Sequence, residues 1–66
     1  MIGNNVRRLR KKRGLTQEKL ARLADISLNA VTKIESGYAK KSTIQTVVKL
    51  AKALNVSLDE LVKEYR

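Results

Sequence analysis

The 66-residue chain contains no cysteine, histidine or proline, and Tyr38 and Tyr65 are its only aromatic residues. The absence of cysteine and histidine excludes disulfides, thiolate or imidazole metal ligands, cysteine nucleophiles and histidine acid–base catalysis. We therefore predict that the protein is not an enzyme, needs no metal or other cofactor and has no evident small-molecule ligand. The shortage of aromatic rings also disfavours a nonspecific binder of RNA or single strands, which needs stacking platforms.

The chain has no run of about 18 apolar residues and no apolar leader at its N-terminus. The sequence thus predicts neither a membrane span nor a signal peptide, and a cytoplasmic, nucleoid-associated location is expected. Association with a membrane surface is disfavoured as well, because the basic first helix lacks a wide apolar face with bulky aromatic residues.

Acidic residues are scarce: 6 Asp and Glu stand against 15 Lys and Arg, for a net charge of +9. Residues 1–41 have a net charge of +8, whereas residues 42–66 have only +1. This asymmetry predicts a basic face that attracts nucleic acid or an anionic membrane, a merely solvated face being the alternative. Because a chain of this length buries only roughly 60% of its unfolded surface, we predict a single domain over residues 1–66 with one shared core.

Apolar residues recur at helical spacing, and no stretch alternates as a strand would. We predict an all-α, compact bundle of five short helices, at approximately residues 3–13, 17–24, 28–35, 43–54 and 58–64. The predicted inward-facing residues are Ile2, Val6 and Leu9, then Leu20, Leu23 and Ala24, then Ala30, Val31 and Ile34, and then Ile44, Val47, Leu50, Ala51 and Leu54. In the last helix Leu58, Leu61, Val62 and Tyr65 share one face, which the core and a partner could divide between them.

Residues that begin and end helices stand at these boundaries. The predicted N-caps are Thr16, Ser27, Ser42 and Ser57, with Gln45 and Glu60 completing capping boxes for the last two. The predicted C-terminal residues of left-handed conformation are Gly14, Gly37 and Asn55. Arg10 lies at the edge of the inward-facing side of the first helix, so its guanidinium needs a carboxylate partner.

The second and third predicted helices are joined by a tight turn, and the third divides into two faces. Its inward face holds Ala30, Val31 and Ile34, and its outward face holds Leu28, Asn29, Thr32 and Lys33. An outward amide, hydroxyl and amine suit the donor and acceptor pattern of base edges in the major groove of DNA. An ordinary helical hairpin with a solvated face is the alternative interpretation.

Several motifs together resemble the XRE family, the helix-turn-helix class of phage repressors, Cro proteins and restriction-modification controller proteins. They are Leu15-Thr16-Gln17, Leu20-Ala21, Ile26-Ser27, Val31, Ile34-Glu35-Ser36-Gly37 and the segment 50–61. The resemblance covers nearly the whole chain and implies a lambda-repressor-like DNA-binding domain. The chain departs from the family pattern in having Asp25 where the turn usually carries glycine, and in lacking the proline often found before the fourth helix.

The resemblance also implies functional residues. The implied base-reading residues are Ser27, Leu28, Asn29, Thr32 and Lys33. The predicted phosphate-binding residues are Thr16, Gln17, Tyr38, Lys40, Lys41 and Ser42. An arginine of the first helix pairs with a glutamate at the end of the third in this family, which matches Arg10 and Glu35. By their chemistry Asn29 suits adenine, Lys33 suits guanine and Leu28 suits a thymine methyl group, whereas Ser27 is expected to cap its helix in preference to reading a base.

We therefore predict a transcriptional regulator that binds double-stranded DNA sequence-specifically, as a homodimer on a palindromic operator, with the third helix in the major groove. The candidate dimer-interface residues are Val48, Val56, Leu58, Val62 and Tyr65. The alternative is a protein-interaction component such as an antitoxin, for which DNA binding is secondary.

Overall fold

The computed structural model describes residues 2–37 and 43–62, which form five α-helices and include no strand. These are α1 (Ile2–Lys12), α2 (Gln17–Ala24), α3 (Leu28–Glu35), α4 (Ile44–Leu54) and α5 (Leu58–Val62). The predicted all-α fold is confirmed. Helix α1 begins and ends one residue before its predicted bounds and α4 begins one residue after its own. The predicted end of the last helix, at residue 64, lies outside the described residues.

All five helices contribute to one hydrophobic core. The buried apolar residues are Val6, Leu9, Leu20, Ala21, Ala24, Val31, Ile34, Val47, Leu50, Ala51, Leu54 and Leu61. Full burial of one leucine or valine side chain contributes about 1.5–3 kcal/mol relative to exposure. Because each helix supplies only a few of these residues, the helices depend on one another for stability.

Some apolar residues assigned to the core by helical spacing are exposed. Leu23 is 55% exposed and Ile44 is 69% exposed, so both assignments were wrong. On α2 the buried face consists of Leu20, Ala21 and Ala24. Leu23 lies next to Leu20 on the side of the helix away from Ala21, and so falls outside this face. On α4 burial begins at Val47, so the first turn carries Ile44 outside the core.

The sequence placed most helix starts correctly. The Thr16, Ser27 and Ser57 hydroxyls accept hydrogen bonds from the backbone N–H of Lys19, Ala30 and Glu60 at 3.0–3.1 Å. The predicted capping box of Ser42 and Gln45 is wrong, because Thr43 is the N-cap of α4 and accepts from the Thr46 N–H at 3.2 Å. A threonine directly follows the serine, and the helix begins one residue later than predicted.

Three helices end in the same way, with one residue of left-handed conformation followed by a partly buried apolar residue. The left-handed residues are Gly14 (φ 68°), Asp25 (φ 57°) and Asn55 (φ 57°). The next residues are Leu15, Ile26 and Val56, whose N–H groups donate to the carbonyls of Arg10, Ala21 and Ala51 at 3.0–3.1 Å. These bonds satisfy carbonyls that a helix end would leave unpaired, and the apolar residues pack on the core.

The contacts of α1 with α3 and α5 depend on two residues that the sequence analysis left unassigned. Asn5 is buried, and its side-chain amide donates to the Leu61 carbonyl at 2.8 Å. Gly3 lies against α3, where a Cβ atom would overlap the backbone carbonyl oxygen of Ile34. A glycine is therefore needed at this helix crossing, which places the start of α1 beside the end of α3.

Candidate nucleic-acid interface

The turn between α2 and α3 is set by Asp25, which has φ 57° and ψ 46°. Its backbone N–H donates to the carbonyls at the end of α2, at Ala21 and Arg22. Aspartate thus takes the left-handed conformation that the family usually gives to glycine, and aspartate is among the few other residues that do so readily. The replacement leaves the turn intact.

The outward face of α3 presents an amide and an amine to solvent. Asn29 and Lys33 are exposed and stand four residues apart, one above the other on the helix surface. Within the described ranges neither side chain makes a hydrogen bond or an ion pair. Leu28, in the first turn, is 44% exposed, while Val31 and Ile34 anchor the opposite face in the core.

The two hydroxyl residues assigned to base reading are partly engaged by the helix itself. The Ser27 hydroxyl accepts from the Ala30 N–H at 3.0 Å, in agreement with its expected capping role. The half-buried Thr32 donates its hydroxyl proton to the Asn29 carbonyl at 2.9 Å. Thr32 therefore offers a ligand an acceptor oxygen and a methyl group, whereas Asn29 and Lys33 keep their donors available.

An ion pair between Arg10 and Glu35 joins α1 to the end of α3. Arg10 Nε donates to Glu35 Oε2 at 2.7 Å and Nη2 donates to Oε1 at 3.0 Å, so the pair is bidentate. The Arg10 and Glu35 side chains are only 11% and 4% exposed. A third donor, Nη1, bonds the Leu15 carbonyl at 2.8 Å and fixes the α1–α2 connection. Breaking such a pair would destabilise the protein by about 3–5 kcal/mol, because one charge would stay buried without a partner.

Gln17, a predicted phosphate ligand, joins this ion pair. Its amide Nε2 donates to Glu35 Oε1 at 3.1 Å, and the side chain is half-buried at the start of α2. Thr16, the residue before it, is exposed and uses its hydroxyl as the N-cap acceptor. The backbone N–H groups of the first turn of α2 point toward its N-terminal end, which is the arrangement by which helix N-termini bind anions.

The sequence analysis missed Arg7. With Gln17 and Thr32 it lines an open cleft of about 280 Å³ whose other walls are Arg10, Glu35 and Ser36. Arg7 is exposed and lies three residues before Arg10, close to it on the surface of α1. That spacing was available in the sequence, but four further basic residues around it gave no reason to single out Arg7.

The remaining predicted residues divide into two groups. Tyr38, Lys40, Lys41, Ser42 and Tyr65 lie outside the described residues. Of the dimer-interface candidates, Leu58 and Val62 are 40% and 50% exposed, Val48 is half-buried, and Val56 packs against the core. Val56 thus contributes to the fold itself. In the described part of the chain there is no group of three potential metal ligands, and no helix is long and apolar enough to cross a bilayer.

Two helices joined by a left-handed turn, with a polar outward face on the second, define a helix-turn-helix protein. Residues 6–61 match the family model described as Helix-turn-helix. The chain belongs to this family, the XRE class of DNA-binding helix-turn-helix proteins, which bind double-stranded DNA.

Individual relatives are similar over most of this chain. It is 39% identical to an uncharacterized HTH-type transcriptional regulator, y4dJ, of Sinorhizobium fredii, over 94% of this chain and 79% of that protein. It is 38% identical to the antitoxin PezA of Streptococcus pneumoniae over 97% of this chain, but spans only 40% of the length of PezA. The crystal structure of the restriction-modification controller protein C.AhdI from Aeromonas hydrophila superposes with a TM-score of 0.85 at 35% identity, covering 91% of this chain and 89% of that one.

Proposed function

We propose that the protein is a transcriptional regulator that recognises a specific double-stranded DNA sequence by placing α3 in the major groove. The observation that carries this proposal is the outward face of α3, where Asn29 and Lys33 are exposed one turn apart and donate to no other described residue. The amide can bond the N6 and N7 edge of adenine, and the ammonium can bond O6 and N7 of guanine. Leu28 adds an apolar contact suited to a thymine methyl group.

Contacts to the DNA backbone would set the register of α3. The proposed phosphate ligands are Thr16, Gln17, Tyr38, Lys40, Lys41 and Ser42, with Arg7 added from the structure. Thr16 and Gln17 lie at the start of α2, and Arg7 lines the same open cleft as Gln17. Such contacts carry affinity and orientation but no base information.

A homodimer on a palindromic operator is part of the proposal. Helix α3 has eight residues and is about 12 Å long, so one copy reads only a few base pairs. The exposed Leu58 and Val62 on α5, with Val48 on α4, supply an apolar surface for a second copy. A DNA-binding regulator of this type would act in the cytoplasm, at the nucleoid.

Selection of binding sites from random duplex DNA tests the proposal directly. We expect enrichment of one sequence with two inverted half-sites separated by about one helical turn or a multiple of it. Enrichment of a single half-site would support sequence-specific binding but contradict the proposed dimer. Recovery of no preferred sequence would contradict the proposed role as a sequence-specific regulator.

The 38% identity to PezA supports a second candidate, an antitoxin that holds a partner protein. Because the aligned region is only 40% of PezA, this identity covers the helix-turn-helix part alone. The antitoxin candidate predicts that Asn29→Ala and Lys33→Ala change affinity equally for all operator variants and leave every base preference intact, whereas the regulator predicts loss of base preference.

A further inference from the structure

We propose that Arg7, Gln17 and Glu35 form a seat for one backbone phosphate of DNA, in which Glu35 positions the Gln17 amide without touching the phosphate. This inference rests on the proposed DNA-binding function and deepens it. It assigns a role to a nearly buried carboxylate and to an arginine that sequence patterns did not single out.

The first step concerns the orientation of the Gln17 amide. Both oxygens of Glu35 already accept from Arg10, at 2.7 and 3.0 Å, so Glu35 faces Gln17 as an acceptor. An acceptor on Glu35 requires the Nε2 end of Gln17 to face it, and Nε2 lies 3.1 Å from Oε1. Glu35 therefore decides which end of the amide points inward. The second N–H of Nε2 diverges from the first, and no acceptor for it lies among the described residues.

The second step concerns charge. A carboxylate close to a phosphate would repel it, but Glu35 is paired with Arg10 in a bidentate contact and the two charges offset each other. Among the residues that line the cleft, Arg7 then leaves one net positive charge. One positive charge matches the single negative charge of a phosphodiester.

The third step concerns location. The cleft opens beside the start of α2 and reaches Thr32 on α3, the helix that carries the proposed base readers. A phosphate held between Arg7 and Gln17 would thus fix the distance from the DNA backbone to α3. The Arg10–Glu35 pair makes this geometry rigid, because it ties α1, α2 and α3 together through contacts to Leu15 and Gln17.

The test of positioning uses the selected operator and a double-mutant cycle of Gln17→Met and Glu35→Asp. Gln17→Met removes the amide at similar length, and Glu35→Asp keeps the charge but withdraws the carboxylate by one methylene. We expect each single variant to weaken binding about tenfold, the range of one hydrogen bond to a charged group. The double variant should bind within about twofold of Glu35→Asp alone, since that variant has already lost the contact that Gln17→Met removes. Penalties that multiply would overturn the positioning role.

A second measurement keeps the test decisive if Glu35→Asp does not fold. Operators with one phosphate at a time replaced by an uncharged methylphosphonate locate the phosphate that the wild-type protein needs. For the Arg7→Gln and Gln17→Met proteins, replacing that phosphate by a methylphosphonate should no longer reduce affinity. The matched control is Lys12→Gln, which removes a charge from the same helix at a separate groove beside Leu23 and Ala53 and should keep the full penalty.

The outcomes separate this inference from the proposed function. If Arg7 and Gln17 respond to two different phosphates, or if neither responds, the shared seat is refuted while sequence-specific binding stands. If the wild-type protein binds no duplex with sequence preference, the proposed function fails first, and the seat falls with it.

Discussion

Arg10 makes three hydrogen bonds from a nearly buried guanidinium, two to Glu35 and one to the Leu15 carbonyl. A planar fork is needed for this arrangement, since the donors diverge toward partners on different elements. At the scale of single residues, Arg10 thus joins α1 both to the end of α3 and to the connection before α2.

Arg10→Lys should therefore destabilise the fold by about 1.5–3 kcal/mol, because an ammonium cannot reproduce both the fork and the bond to Leu15. Base preference should survive, since the charge beside Glu35 is kept. Thermal or urea unfolding measures the first effect and an operator panel measures the second. Unchanged stability together with lost base preference would instead make Arg10 a direct DNA contact.

Asp25→Gly should stabilise the protein by up to about 1 kcal/mol, because it relieves the strain of a left-handed aspartate at φ 57°. The greater freedom of glycine in the unfolded chain offsets part of this gain. The melting temperature reports the net effect. Asn55→Gly is the matched comparison, with the same φ at the end of α4. A lower melting temperature for Asp25→Gly would show that the aspartate side chain stabilises the turn.

At the scale of elements, α3 combines a buried face with an exposed one, and the division of labour on the exposed face is testable. Asn29→Ala or Lys33→Ala should cost about 1–3 kcal/mol on the preferred operator and relax preference at one or two base pairs per half-site. Lys40→Ala or Lys41→Ala should weaken all sequences about equally. Binding to a panel of mutated operators distinguishes the two classes. Uniform loss for Asn29→Ala with every base preference intact would show that α3 is not the reader.

Helices α1, α2 and α4 end alike, and this shared end has a consequence for how they connect. Each left-handed residue turns the chain so that the next apolar residue, Leu15, Ile26 or Val56, packs on the core. The helix end and its connection are thus fixed by the same local contact. The turn between α2 and α3 is one of these three. The orientation of α3 therefore depends on the same kind of helix end that connects α1 to α2 and α4 to α5.

At the scale of the whole molecule, the net charge of +9 predicts that DNA binding weakens as salt rises, because basic side chains displace counterions from phosphates. Each neutralised phosphate contributes about 0.9 to the log–log slope of affinity against salt, so about six contacts would give a slope of roughly −5. Fluorescence anisotropy on the operator at several salt concentrations measures it. A nearly flat dependence would exclude DNA as the partner.

The assembly is the second property at this scale. We expect a dimer in which α4 and α5 meet their counterparts through Leu58, Val62 and Val48. Val62→Glu should weaken self-association and operator affinity together, while Leu23→Glu, which alters an apolar residue of similar exposure on α2, should affect neither. Sedimentation at tens of micromolar measures the first effect. A monomer that binds one half-site alone would contradict the dimer.

The sequence by itself determined the helices and most of their ends, because these depend on contacts within a few residues. The 3.6-residue periodicity, the Thr16, Ser27 and Ser57 caps and the left-handed Gly14 are local features. Local chemistry also separated the buried face of α3 from its exposed one. The one misplaced cap arose where Ser42 and Thr43 stand side by side and either residue satisfies the local rule.

Tertiary structure decided what depends on how the helices cross. Helical spacing could not show that Leu23 and Ile44 would be exposed, because burial requires a neighbouring helix to cover that side. Gly3 and Asn5 became interior residues only through the approach of α1 to α3 and α5. The hydrogen bond from Gln17 to Glu35 and the place of Arg7 in the same cleft join residues far apart in the chain. Such contacts follow from the geometry of the bundle, which no local pattern encodes.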